Sequence, residues 1–219
     1  MLLQRLIDGR FVLAALFALA FLGGCASGSP ARSPDSQGAT KSEMASGQVA
    51  ESEIPAQVQT LYEQAAASMA AGDYVDAELR FKEFLLQYPQ YPGAYVNLAI
   101  IHANNENDDE ARSVLDAALA LNPNHPAALN QLGMLLRKNG KFLEAEAAYL
   151  KAVTVSPDYA LAHYNLGVLN ELYLQRLDIA LQNFEAYQAL VGEDKQVAKW
   201  IADLRRRVAA TQRTANVAE

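Results

Sequence analysis

The sequence predicts an all-α solenoid, four helix pairs stacked in series and closed by one C-terminal capping helix. Two observations carry this. A pattern of small, apolar and amide residues recurs every 34 positions between residues 58 and 194, and self-similarity at a fixed period of that size marks an array of supersecondary units. The composition agrees: the 219 residues are 51% hydrophobic but only 8% aromatic, with Ala heavily used. Ala favours helices that pack through small residues, whereas a β-rich core draws on branched and aromatic side chains.

In chain order, the first element is an address. Arg5 and Arg10 precede an unbroken apolar run from Phe11 to Leu22, too short to span a bilayer comfortably and well suited to the core of a signal peptide. The run ends in Leu22-Gly23-Gly24-Cys25. This resembles the bacterial lipobox, whose cysteine is lipidated and becomes the first residue of the mature chain. The resemblance implies a leader over residues 1–24 and an acyl anchor on Cys25. With Ala26 next to it, it implies the outer membrane, facing the periplasm. Cys25 is the only cysteine, so an intramolecular disulfide is excluded even in an oxidising compartment. Residues 25–53 are rich in Ser, Gly, Ala and Pro with no aromatic residue. They cannot bury enough surface to offset ordering, and they read as a tether with a reach of roughly 30 Å.

The four units fill residues 54–194. Residues 92–125, 126–159 and 160–194 align with one another, and 58–91 aligns with all three, with one extra residue in the last unit. Leu98-Ala99, Leu132-Gly133 and Leu166-Gly167 keep the spacing, as do Asn97, Gln131 and Asn165. Ala77, Ala111 and Ala145 also keep it, each followed four residues on by Phe81, Leu115 or Tyr149, and Pro89, Pro123 and Pro157 close the first three units. The small residues let two helices approach closely, and the large residue one turn later fills the space beside them. Gly72 and Gly140 suit the turns, and the prolines stop the second helices.

This pattern resembles the tetratricopeptide repeat (TPR) family, whose units are antiparallel helix pairs wound into a right-handed superhelix. The first unit departs from it with Gln64 in place of Leu, as befits an end helix with one exposed side. Phe84 and Tyr187 stand where the family usually has Ala. The fourth unit lacks the turn glycine and closes on Gly192 instead of proline. Beyond it Asp194 can cap a helix over residues 195–211, in which Val197, Ile201, Leu204 and Val208 form one apolar stripe. Such a helix covers the open end of an array. Trp200 reads as a packing residue, Arg205-Arg206-Arg207 as its wet face, and residues 212–219 as a disordered tail.

No chemistry emerges from the residues. His102, His125 and His163 have no ligand partners at metal spacing. Glu106, Asp108, Asp109 and Glu110 lack the glycine and spacing of a calcium loop and instead supply a turn and the negative start of a helix. There is no nucleophile motif and no phosphate-cradling loop. The sequence therefore predicts no enzyme, no cofactor, no metal and no small-molecule substrate. A net charge of −7 speaks against nucleic acid, which needs a concentrated basic surface. Residues 58–194 hold 18 acidic and 8 basic side chains, while residues 195–219 hold 2 acidic and 6 basic.

What remains is a protein-binding face. The resemblance implies a concave groove lined by the first helix of each pair. Its positions are Tyr62 and Met69 in the first unit, and Val96, Asn97 and Ile100 in the second. The third supplies Asn130, Gln131, Met134 and Arg137, and the fourth Tyr164, Asn165 and Val168. Asn97, Gln131 and Asn165 are expected to form a ladder of solvent-facing amides for a peptide backbone. No lysine stands beside Asn97, which sets aside the carboxylate clamp of some family members. The expected function is a membrane-anchored, non-enzymatic adaptor of the bacterial envelope. The alternative is a pilotin-like assembly factor that escorts pilus or secretion subunits to the outer membrane.

Overall fold

The computed structural model describes residues 55–217. The leader, Cys25 and the tether lie outside the described residues. The described chain is helical throughout: α1 (Ala56–Ala70), α2 (Tyr74–Gln87), α3 (Pro92–Asn104), α4 (Asp108–Leu121), α5 (Pro126–Lys138), α6 (Phe142–Val155), α7 (Ala160–Leu172), α8 (Leu177–Val191) and α9 (Lys195–Val217). Successive helices pair as α1–α2, α3–α4, α5–α6 and α7–α8, and α9 lies on α8.

Local chemistry sets the boundaries. Asp73 caps α2 by accepting from the Asp76 amide at 3.0 Å, and His125 caps α5 through Nδ1, which accepts from the Ala128 amide at 3.2 Å. Pro92 and Pro126 occupy the first turn of α3 and α5, where a missing N–H costs nothing. The turn within each pair needs one residue at positive φ. Gly72 and Gly140 supply it in units one and three. Units two and four place Glu106 (φ 62°) and Gln175 (φ 57°) there instead, so the turn geometry holds even where the glycine is missing.

Within each pair a small residue on the first helix meets a large one on the second. In the third pair the approach is so close that a Cβ on Gly133 would lie 2.5 Å from the Tyr149 ring, and in the fourth a Cβ on Gly167 would lie 2.7 Å from Phe184. Tyr149, Phe81, Phe184 and Leu115 are all buried, so this one position anchors every unit. Phe84 is buried among Tyr62, Tyr88 and Tyr91, with ring centroids 5.6, 5.3 and 5.5 Å away. At the corresponding place the inner units have Ala118 and Ala152, both fully buried.

Asp194 caps α9, its Oδ1 accepting from the Gln196 and Val197 amides at 2.8 and 3.0 Å. Val197, Ile201 and Leu204 are buried against Ala180 and Phe184. Two details differ from the sequence expectation. α9 runs to Val217, past residue 211, because no Gly or Pro interrupts it and its last turns are built from good helix formers. Arg207 lies only partly on the wet face: its side chain is half-buried, and its Nη1 donates to Glu171 Oε1 at 2.8 Å.

Candidate functional site: the face of the first helices

The backbones of the first helices approach one another in series, α1 to α3, α3 to α5 and α5 to α7, whereas those of the second helices stay apart. Helices drawn together on one side and splayed on the other curve the array toward the first-helix side. This makes α1, α3, α5 and α7 the inner face.

On that face the expected groove residues divide into two sets. Val96, Asn130 and Asn165 are buried, with 5%, 1% and 6% of their surface exposed. Tyr62, Met69, Asn97, Ile100, Gln131, Arg137, Tyr164 and Val168 are half-buried, and Met134 is 37% exposed. The ladder of free amides is corrected by this arrangement. Asn97 Nδ2 donates to Tyr62 Oη at 2.8 Å, and Asn165 Nδ2 donates to Asn130 Oδ1 at 2.9 Å. Each amide reaches back to the first helix of the preceding unit, so two of the three rungs stitch the array together. Between α3 and α5 the same place holds Val96 opposite Gln131. Val96 has nothing to offer a donor, so Gln131 keeps its amide unbound among the described residues.

Aromatic residues frame both ends of the face. Tyr62 meets Phe81 edge-on at 5.6 Å, and Tyr164 meets Phe184 edge-on at 5.9 Å. Tyr164 also contacts Tyr187 at 5.3 Å and Trp200 at 6.0 Å, and Tyr187 Oη donates to Asp194 Oδ2 at 3.5 Å. Tyr187 and Trp200 were not among the expected groove residues. The signal for Tyr187 was its aromatic ring at a family Ala position. Trp200 is fixed only by where α9 docks. Burial raises the pKa of Tyr62, with the Asn97 hydrogen bond opposing it, and burial likewise raises that of Tyr164. Both therefore remain phenols at ordinary pH. The Tyr62 oxygen accepts from Asn97, which leaves its own proton for an acceptor on a ligand.

The histidines have structural duties. His102 is buried, His125 is the α5 cap, and His163 lies between Pro157 O at 3.0 Å and Asn183 Oδ1 at 3.3 Å. Asp108, from the acidic run, joins units by pairing with Lys138 at 2.6 Å and accepting from Asn139 at 3.0 Å. Burial raises the pKa of its carboxyl, but these two partners outweigh burial and hold it below the usual value. No cluster of three or more His, Cys, Asp or Glu side chains fit for a metal occurs among the described residues. None of the described helices is long and apolar enough to cross a membrane.

Comparison with known proteins matches this geometry. Family models described as "Tetratricopeptide repeat" and "TPR repeat" match residues 68–135 and 133–172. The chain is a tetratricopeptide-repeat protein. Among curated proteins it is 42% identical over 62 residues to the human protein O-mannosyl-transferase TMTC2, covering 28% of this chain and 7% of that one. It is 32% identical over 101 residues to the photosystem I assembly protein Ycf3 of Rippkaea orientalis, covering 42% of this chain and 58% of that one. The chain thus spans under two thirds of either relative. Among solved structures, Pseudomonas aeruginosa pilF superposes with a TM-score of 0.62 at 24% identity, over 71% of this chain and 72% of that one. The first TPR domain of Spaghetti (RPAP3), bound to an HSP90 peptide, superposes with a TM-score of 0.51 at 18% identity, over 55% of this chain and 97% of that one. The shared fold is a scaffold for protein–protein contact.

Proposed function

We propose that this protein is a non-enzymatic adaptor of the bacterial envelope, held to the membrane by an acyl chain on Cys25, which binds a segment of another protein along the face of α1, α3, α5 and α7. One observation carries the binding site. Met69, Ile100, Gln131, Met134, Arg137 and Val168 remain accessible there after the stitching amides and the core are accounted for. They offer adaptable apolar contact, one free amide and one cation. The RPAP3 domain, which shares the fold, carries a bound peptide, and that supports reading the face as a peptide site.

The outer membrane, facing the periplasm, is the proposed location, and it rests on the lipobox resemblance at Leu22–Cys25. Mass spectrometry of the native chain tests it. An acylated Cys25 at the mature N-terminus is expected, and an unmodified thiol overturns the anchor. For the site, a photo-crosslinking residue at Met134 or Ile100 should capture a partner in intact cells that one at Lys151 or Glu144 does not. The last two are exposed on the second helices. Equal capture from both positions would refute the inner-face site. An assembly role is the second reading, favoured by the likeness to Ycf3, a photosystem I assembly protein by name. An escort releases its client, so the captured partner would be absent from the complex at steady state.

A further inference from the structure

Outside the inner face, one helix presents an apolar stripe that none of the described residues covers. Val75, Leu79 and Leu86 on α2 are 83%, 66% and 85% exposed, the three highest values among the exposed large hydrophobic residues. They lie on one helical face together with Lys82. The repeat itself does not demand apolar residues there, since α4 has Asp109, Ser113, Asp116 and Ala120 at the same places. α6 keeps only part of the stripe, with Leu143 and Leu150 at 64% and 48% exposure.

We propose that this face is a docking surface for a second copy of the same chain, α2 packing against α2 antiparallel about a two-fold axis. The spacing of Val75, Leu79, Lys82 and Leu86 reads the same in both directions, as an isologous pairing requires. An axis crossing α2 between Arg80 and Phe81 sets Val75 opposite the second copy's Leu86. It sets Leu79 against the aliphatic stem of the second copy's Lys82. The flanking charges complement one another in the same register. Glu78 lies one residue's rise, about 1.5 Å, from the level of the second copy's Lys82 on one flank, and Glu83 lies within about one turn of its Arg80 on the other. Within one chain Lys82 pairs with Glu78, and Arg80 with Asp76, all on or near the surface. These ions can therefore be shared across the axis without being buried alone. One helix face is smaller than a permanent interface, so the product is a weak, reversible dimer. It leaves the inner face of both copies open.

The test mixes unlabelled and heavy-isotope-labelled full chains in mild detergent, treats them with a zero-length carbodiimide and maps the products by mass spectrometry. A Glu78–Lys82 link between chains of different isotope is expected, with a concentration-dependent rise to twice the monomer mass in sedimentation. Leu79→Glu should reduce the mixed-isotope link at least tenfold. Leu86→Glu, at an even more exposed site, should do the same with unchanged helix content. Lys82→Glu alone should weaken the link-forming dimer, and adding Glu78→Lys should restore it by sedimentation. Monomeric behaviour at every concentration overturns the proposal, as does a dimer that survives both Glu substitutions. Vesicle binding lost in Leu79→Glu without self-association would assign the stripe to a lipid surface and overturn it equally.

Discussion

Replacing Gly133 with Ala puts a methyl group where the Tyr149 ring already lies. The added Cβ would stand 2.5, 2.6 and 2.8 Å from three ring atoms, well inside van der Waals contact. Tyr149 is fully buried and cannot swing into solvent to relieve this. Overpacking of a filled core costs roughly 1–3 kcal/mol, and a triple contact of this depth belongs at the upper end. Against it stands the helix propensity of Ala over Gly, worth about 1 kcal/mol. The net expectation is a loss of about 1–2 kcal/mol, or roughly 3–6 °C in Tm for a folded unit of this size. The second unit shows the compensated form of the same contact, with Ala99 and Leu115 in these places and both buried. Tyr149→Leu alone leaves space beside the glycine and destabilises. Combined with Gly133→Ala it recreates the pairing of the second unit, so the double variant should be more stable than the sum of the singles by about 1 kcal/mol or more. Thermal and urea melts of all four proteins supply the cycle. A Gly133→Ala variant as stable as the parent, or more stable, would falsify the close-approach account.

Three further outcomes follow from the same contacts. The Tyr149 hydroxyl is buried with no partner among the described residues, and burial pushes its pKa up to about 12. The folded state holds that proton while the unfolded chain releases it, so stability is complete below pH 10 and falls between 10 and 12. Tyr149→Phe should melt at or above the parent at pH 7 and lose less on alkaline titration; an unchanged alkaline slope would contradict this. Gln131 and Asn165 should behave differently despite equivalent repeat positions. Asn165→Ala strands the buried Asn130 oxygen and should cost about 1–3 kcal/mol of stability. Gln131→Ala should leave the melt within about 0.5 kcal/mol and weaken partner binding roughly two- to tenfold. Calorimetry and melting of both variants decide, and equal stability losses would refute the stitching role. Stopping the chain after Asp194 exposes the surface that Val197, Ile201 and Leu204 cover, three side chains at 1%, 4% and 0% exposure. At roughly 1.5–3 kcal/mol each, the loss should be on the order of 5 kcal/mol. An unchanged melting midpoint would mean that α9 contributes nothing to the fold.

The sequence alone determined the helix count, the pairing and the capping helix, because these depend on local signals repeated in register. Leu-Ala or Leu-Gly pairs, Ala followed one turn later by a large residue, and closing prolines act within a single unit. Asp194 likewise announced α9 by its own capping geometry. What the sequence could not give was the fate of polar side chains whose partners lie one unit away. Asn97 and Asn165 look like free peptide-binding amides when read along one helix. Only stacking puts Tyr62 and Asn130 within reach, and an amide leaving water takes the nearest acceptor. The turn in units two and four, where Glu106 and Gln175 adopt positive φ, was equally hidden, since packing of the two helices imposes it against local preference. The exposed stripe on α2 lay open in the sequence as Val75, Leu79 and Leu86, yet an apolar residue at helical spacing reads first as core. Tertiary structure decided the matter, because burial of Ala77, Phe81 and Phe84 on the opposite face leaves that stripe turned away from the rest of the described helices.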